Sequence, residues 1–172
     1  MAALTQERTV GSGISERLAR GVFGGLAAGA LFIAATMWFA QSTGSPAKGP
    51  LLMISTIVLG ADAMDTGQAS VGMGLAVHAV LSALFGIVFG LVVGAFRTNG
   101  TVLIAGTGYG VLLYLVNFKV MAPLAFPVLE MANQPFELVV HIVFGTLLAM
   151  AFLSSDSRRG EPILALSRRE PS

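Results

Sequence analysis

The sequence has few charged residues and no cysteine. Of its 172 residues, 11% are charged, whereas a soluble domain usually contains about 25%. The lack of cysteine excludes disulfide bonds, thiolate metal sites and cysteine nucleophiles. The formal net charge is only +1, so no nucleic-acid partner is predicted. With a mean hydropathy of +0.80, the composition instead indicates an integral membrane protein surrounded by the lipid bilayer.

Four apolar runs are long enough to cross a bilayer as helices. A spanning helix needs about 20 mainly apolar residues, because lipid cannot hydrogen-bond an exposed backbone. The runs are approximately Gly21–Ala40, Gly72–Phe96, Thr101–Phe118 and Phe136–Leu153. The sequence therefore predicts an all-α membrane protein with four transmembrane helices in one domain, residues 21–153. Polar tails, residues 1–20 and 154–172, flank this domain.

The basic residues are distributed unevenly between the two sides of these spans. One side carries eight arginines and the other carries two lysines. The arginines are Arg8, Arg17, Arg20, Arg97, Arg158, Arg159, Arg168 and Arg169, and the lysines are Lys48 and Lys119. Because basic residues favour the cytoplasmic side of a membrane, both termini are predicted to be cytoplasmic.

The two outer loops contain short apolar segments. In the first, Gly49–Asp65, an apolar run of about 11 residues is too short to span a bilayer and predicts a helix at the membrane interface. In the second, Ala122–Pro135, three prolines predict a broken helix or turns.

The segments around the two histidines are similar to each other. LAVHAVLSAL around His78 and LVVHIVFGTL around His141 share Leu, Val, His, Val and Leu at equal offsets. This match predicts a tandem repeat of two-span hairpins, in which the second span of each hairpin carries the histidine. Two spans per repeat would keep the copies parallel.

Small residues recur at intervals of four along two of the spans. Since four residues make slightly more than one helical turn, each set shares one face. The sets are Ser82, Gly86, Gly90 and Gly94 in the second span, and Gly21, Gly25 and Gly29 in the first. Such faces allow close helix packing in lipid. They predict packing within the chain or, alternatively, a homo-oligomer interface.

The two histidines have several interpretations. Each can be a neutral side chain that is hydrogen-bonded to a carbonyl, serine or asparagine, with Ser82 and Asn117 as nearby candidates. Alternatively, His78 and His141 lie at matching depths on helices that could face each other across a bundle. They could then be axial ligands of a b-type haem.

A divalent metal site is a further alternative. Glu137 lies four residues before His141 and so shares its helical face. With His78 these side chains offer oxygen and nitrogen ligands of the kind that Zn²⁺ uses. Asn117 and Glu130 are polar residues close to this candidate site.

Several segments resemble a known group of proteins. PLLMISTIVLG, HAVLSALFG, YGVLLYLVNF and VVHIVFG are similar to segments of a loose group of small bacterial four-span membrane proteins of unknown function. The resemblance covers most of the region from Pro50 to Gly145. It implies four spans in a bacterial cytoplasmic (inner) membrane, and it supplies no activity.

No catalytic pattern was found, so we expect a protein that is not an enzyme. The leading hypothesis is an accessory or assembly protein, or an oligomeric scaffold, within a homo-oligomer or a larger membrane complex. The alternatives are the haem or metal protein described above and a small oligomeric transporter or channel. A water-filled cavity passing His78 and Asn117 would favour the transporter.

Overall fold

The chain is all-helical in the computed structural model, which describes residues 2–153, with side chains from residue 13. No strand occurs in that part of the chain. The predicted C-terminal tail, residues 154–172, with its four arginines, lies outside the described residues, as does the side chain of Arg8.

Six α-helices are connected by short turns. They are α1 (Ala2–Ser42), α2 (Gly49–Leu59), α3 (Val71–Val92), α4 (Asn99–Tyr114), α5 (Ala122–Ala125) and α6 (Gln134–Met150). Three 3-10 segments lie at Ala61–Ala63, Val93–Ala95 and Pro127–Met131. A π-helical segment, Leu115–Met121, joins α4 to α5.

Three continuous helical stretches are long and apolar enough to cross a membrane. They are Gly13–Ser42, Val71–Ala95 and Asn99–Ala125. The predicted fourth span corresponds to α6, which has 17 residues and is shorter than the other three. Helix α1 extends well before the predicted start of the first span, since its backbone is helical from Ala2.

Helices α1 and α3 pack with their backbones in contact. A methyl group on Gly86 would overlap the carbonyl oxygen of Gly21, and one on Gly25 would overlap that of Ser82. Only a glycine fits at such positions, and the close approach maximises dispersion contacts between the helices. The glycine faces predicted on the first two spans therefore lie against each other within the chain.

The last two glycines of that face, Gly90 and Gly94, lie against Arg17 of α1. A methyl group on Gly90 would lie 2.7 Å from the Arg17 carbonyl oxygen, and one on Gly94 would overlap the guanidinium group. The guanidinium also donates to the carbonyl of Gly13. The face thus continues along α1 down to its charged end.

Helices α4 and α6 form a second close pair. A methyl group on Gly145 would overlap the carbonyl oxygen of Gly106, and one on Gly110 would overlap that of His141. Beside this contact the hydroxyls of Thr107 and Thr146 are 2.9 Å apart. Helix α1 contacts α3 on one side and α6 on the other, so it joins the two pairs.

One half of the bundle has a closed apolar core. Its fully buried side chains come from α3, α4 and α6 and from the turns after them; they include Phe89, Val93, Val102 and Leu148. Tyr109 of α4 contacts Phe89 and donates its hydroxyl to the carbonyl of Phe85 in α3. We call this the closed half of the bundle.

The connection between α3 and α4 is short and capped. Thr98 accepts from the backbone of Thr101, and the Thr101 hydroxyl accepts from the backbone of Thr98, both at 3.1 Å. This capping box satisfies two amides that the helix cannot. It fixes the start of α4 directly after the end of α3.

The π-helical segment precedes Pro123. Proline has no amide hydrogen, and inside an α-helix its ring clashes with the carbonyl four residues earlier. Here the backbone hydrogen bond runs to the carbonyl five residues earlier rather than four: the amide of Ala122 donates to the carbonyl of Asn117. The prediction that prolines break the second outer loop is confirmed, and so is the prediction of a short helix in the first.

Candidate functional site

The half of the bundle opposite the closed half contains a cavity of about 730 Å³. Helix α2 and the segments after α4 lie around it, and α1, α3 and α6 supply its other walls. Most of the lining side chains are apolar, with a few polar groups among them. Its volume falls within the range of about 300–1,000 Å³ that small-molecule sites occupy.

The imidazole of His78 is bound to the neighbouring helix. Its Nε2 donates to the carbonyl of Gly29 in α1 at 2.8 Å, and the hydroxyl of Ser82 lies 3.5 Å from the same nitrogen. A methyl group on Gly29 would overlap the side chain of Ser82, so the glycine allows α3 to approach α1 here. His78 therefore connects α3 to α1 at the wall of the cavity.

The imidazole of His141 is bound to its own helix and faces α4. Its Nδ1 donates to the carbonyl of Glu137 at 2.7 Å. That tautomer leaves Nε2 as an acceptor, and the amide nitrogen of Asn117 lies 3.4 Å from it. The predicted carbonyl and asparagine partners of the histidines are present, and the side chain of His141 is only 7% exposed.

The two imidazoles contact one phenylalanine ring. The ring centroid of Phe32 in α1 lies 5.6 Å from that of His78 and 4.9 Å from that of His141. The histidines therefore line the same cavity from helices on either side of α1. The Nε2 of His78, however, is bound to Gly29, so the pair does not present two free Nε2 atoms to the iron of a haem.

The predicted metal ligands come together only in part. Glu137 Oε2 lies 3.8 Å from His141 Nδ1. Within residues 13–153, however, no three side chains of histidine, aspartate or glutamate are close enough to hold a metal ion. His78 thus shares the cavity with Glu137 and His141 without completing a ligand set.

Three polar residues form one side of the cavity, which we call the polar edge: Asn117, Glu137 and His141. The π-helical segment carries Asn117 and directs it to His141. Glu130 is exposed and does not line the cavity. Sequence reasoning identified the members of the polar edge but missed Phe32, whose position in an ordinary apolar run gives no signal.

Helix α2 forms a wall of the cavity because two small residues, Gly74 and Ser55, allow it to pack closely against α3. A methyl group on Gly74 of α3 would overlap the carbonyl oxygen of Leu51 in α2, and the hydroxyl of Ser55 accepts from the backbone amide of Ser70 at 3.1 Å. These contacts hold α2 against the first turns of α3. Ile57, Ile54 and Met53 of α2 line the cavity.

The fold and the cavity together define a class: an all-helical protein with three helices able to cross a membrane and an apolar cavity with a polar edge. No protein-family model matches the chain, and neither the curated proteins nor the solved structures include one with significant similarity to it. The function must therefore be argued from the geometry of the cavity.

Proposed function

We propose that the chain is a four-span protein of a bacterial cytoplasmic membrane that binds an apolar small molecule in this cavity and catalyses no reaction. The observation that carries the proposal is the cavity itself. It has the volume of a ligand site, apolar walls and a localised polar edge, which is the usual composition of a small-molecule site.

Four spans are supported by the length and position of α6. Its 17 residues lie at the lower limit of about 17–25 residues for a membrane helix. It packs along α1 and α4, which belong to the stretches Gly13–Ser42 and Asn99–Ala125, and both stretches are long enough to span. The distribution of basic residues favours cytoplasmic termini, and with that orientation the cavity would open on the outer side.

The orientation can be tested because the chain has no cysteine of its own. Single cysteines at exposed positions, Glu130→Cys and Ala95→Cys, are treated in intact cells with a membrane-impermeant maleimide. Only the first should react before the cells are opened. Reaction of the second alone would reverse the proposed orientation.

A tandem repeat is supported by matching contacts in the two helix pairs. Gly25 and Gly29 lie against Ser82 and His78, and Gly106 and Gly110 lie against Gly145 and His141. In each pair two glycines spaced by four oppose a histidine and the small residue one turn later. This correspondence extends the sequence match to the first span of each hairpin.

The scaffold hypothesis has less support than the binding hypothesis. It depended on small-residue faces that were free for a partner, and the glycines of those faces pack within the chain. Gly108 is one glycine in α4 with open space around it. A homo-oligomer therefore stays a prediction, which the molecular mass of the purified protein in detergent tests.

Transport is a second candidate, favoured by one observation. The cavity passes both His78 and Asn117, whereas the closed half blocks a continuous path. A carrier would need to open the closed half after a ligand had bound. Uptake of a bound probe into proteoliposomes tests this, and binding without uptake would leave a binding protein.

The binding function is tested with the neutral dye Nile red and detergent-solubilised protein. The wild-type protein should give saturable fluorescence, with one site per chain, above the detergent background. Ala40→Trp adds an indole to the cavity lining and should abolish this signal. Ala34→Trp places the same indole on an exposed part of α1 and is the matched control. Equal signals from both variants would contradict the proposal.

A further inference from the structure

We propose that the cavity selects organic cations, with Glu137 as the counter-charge. This inference rests on the proposed binding function and adds the charge of the ligand to it. The class of ligand is a lipophilic cation, meaning a positive centre carried by apolar or aromatic groups.

Glu137 lines the cavity without a hydrogen-bonded counter-ion. Its side chain is 12% exposed, and the basic atom recorded near its carboxylate is Nδ1 of His141, at 3.8 Å. That nitrogen already donates to the Glu137 backbone carbonyl at 2.7 Å. The carboxylate therefore faces the cavity with no basic partner at hydrogen-bond distance among the described residues.

Among the described residues, the cavity lining contains no lysine or arginine, and Glu137 is its one acidic residue. The nearest lysine in the sequence, Lys119, donates to Gln134 at 3.0 Å and lies over the ring of Tyr114. A buried charge is costly unless it is paired. A ligand cation would supply the missing partner, and a ligand anion would be repelled.

Aromatic rings surround the same region. Phe39 and Phe136 stack with ring centroids 4.0 Å apart, and Phe136 directly precedes Glu137. Phe118 and Phe32 also line the cavity. The faces of such rings attract cations, and the attraction grows when water is excluded. The walls thus favour the same ligand charge as the carboxylate.

Glu137 lies in the first turn of α6, where backbone amides and the helix dipole favour a negative charge. Burial of its side chain opposes that charge. A bound cation would offset the cost of burying the carboxylate.

The test uses two ions of the same shape and opposite charge, tetraphenylphosphonium and tetraphenylborate, as competitors of Nile red. For the wild-type protein, tetraphenylphosphonium should displace the dye at a concentration roughly tenfold lower than tetraphenylborate. Glu137→Gln should remove most of this preference while Nile red still binds. Glu130→Gln, which changes an exposed carboxylate outside the cavity, should leave the preference unchanged.

Equal displacement by the two ions in the wild-type protein, or the same preference in Glu137→Gln, would overturn the cation inference alone. A lack of saturable Nile red binding to the wild type would instead overturn the proposed function and the inference with it. If Glu137→Gln does not fold, Glu137→Asp serves instead. Glu137→Asp keeps the negative charge and should keep the preference for tetraphenylphosphonium. Loss of that preference would count against the inference.

Discussion

The two helix pairs, α1 with α3 and α4 with α6, pack through glycines in the same way, but their histidines make different hydrogen bonds. In the first pair, Nε2 of His78 in α3 donates a hydrogen bond to the carbonyl of Gly29 in α1. In the second pair, Nδ1 of His141 donates to the carbonyl of Glu137 in the same helix. Its Nε2 can therefore accept a hydrogen bond from the amide of Asn117 at the cavity. The first histidine therefore connects two helices, whereas the second contributes to the polar edge of the cavity, where the proposed ligand would bind.

The segments that connect the two helices of each pair differ as well. The first pair carries α2, a regular helix of 11 residues held against α3 through Gly74. The second carries the π-helical segment and the proline-rich turns that follow it. Irregular helical turns are frequent at functional sites. The connecting segment of the first pair is thus a regular helix, whereas that of the second pair supplies Asn117 of the polar edge.

The largest loss of stability is expected when a side chain is introduced at either of the glycine contacts between helices. Gly86→Leu and Gly145→Leu would each push a side chain into the backbone of the facing helix, which a rotamer change cannot relieve. Each should cost about 3 kcal/mol or more, measured as a large fall in melting temperature or loss of the folded peak in size-exclusion chromatography. Gly108→Leu, with open space around it, is the control. Wild-type melting of either variant would refute the packing.

The second effect concerns the polar groups of the cavity. Asn117→Leu should weaken Nile red binding about fivefold, as expected for the loss of one hydrogen-bonding group of about 1 kcal/mol. Thr36→Val is the matched change in the first pair, where the hydroxyl already donates to the carbonyl of Ile33 at 3.0 Å. It should change the affinity less than twofold. If Thr36→Val weakened Nile red binding more than Asn117→Leu, the polar contacts of the ligand would lie on the first pair and not on the second.

Removal of Pro123 tests whether the π-helical segment matters. Pro123→Ala restores an amide donor and lets the α-helical ladder continue, which would rotate Asn117 away from His141. We expect Nile red binding to weaken by about the same factor as in Asn117→Leu, with stability equal to or above wild type. Unchanged binding would mean that the widened turn does not position Asn117.

The histidine of the first pair should affect stability without affecting binding. His78→Leu removes one interhelical hydrogen bond of about 1 kcal/mol, and the melting temperature should fall by a few degrees. His78→Gln can still donate to Gly29 and should recover part of the loss. Nile red affinity should stay within twofold in both variants. Loss of binding with unchanged melting would place His78 in the ligand site.

The smallest effect is expected at Lys119. Its hydrogen bond to Gln134 is exposed, and exposed charged contacts contribute between about 0 and 1 kcal/mol. Lys119→Met should leave both the melting temperature and the tetraphenylphosphonium preference nearly unchanged. A clear gain in that preference would show that Lys119 offsets the charge of Glu137.

The helices could be predicted from the sequence because apolar length and proline positions act locally. The runs around His78 and His141, the short helix after Gly49 and the break near Pro123 all carry such signals. The faces of Gly21 and Gly25 and of the second span could be recognised for the same reason, since each repeats every four residues, but their pairing with each other follows only from the structure.

The cavity could not be predicted, because it depends on how far apart the helices stay. Phe32 contacts both imidazoles, and nothing in its apolar surroundings distinguishes it from the other phenylalanines. The sequence also suggested that His78 and His141 could face each other directly. The position of α1 between α3 and α6, which prevents this, follows only from the tertiary packing.

The central claim is that a ligand occupies the cavity beside α2, and the lack of cysteine allows one direct measurement. Ile57 lines the cavity, whereas the next residue, Val58, is 61% exposed and does not line it. Single cysteines at the two positions are labelled with N-ethylmaleimide in the presence and absence of saturating Nile red. Protection of the cysteine at 57, with no protection at 58, is the predicted result. Equal labelling of both with and without the dye would contradict the account.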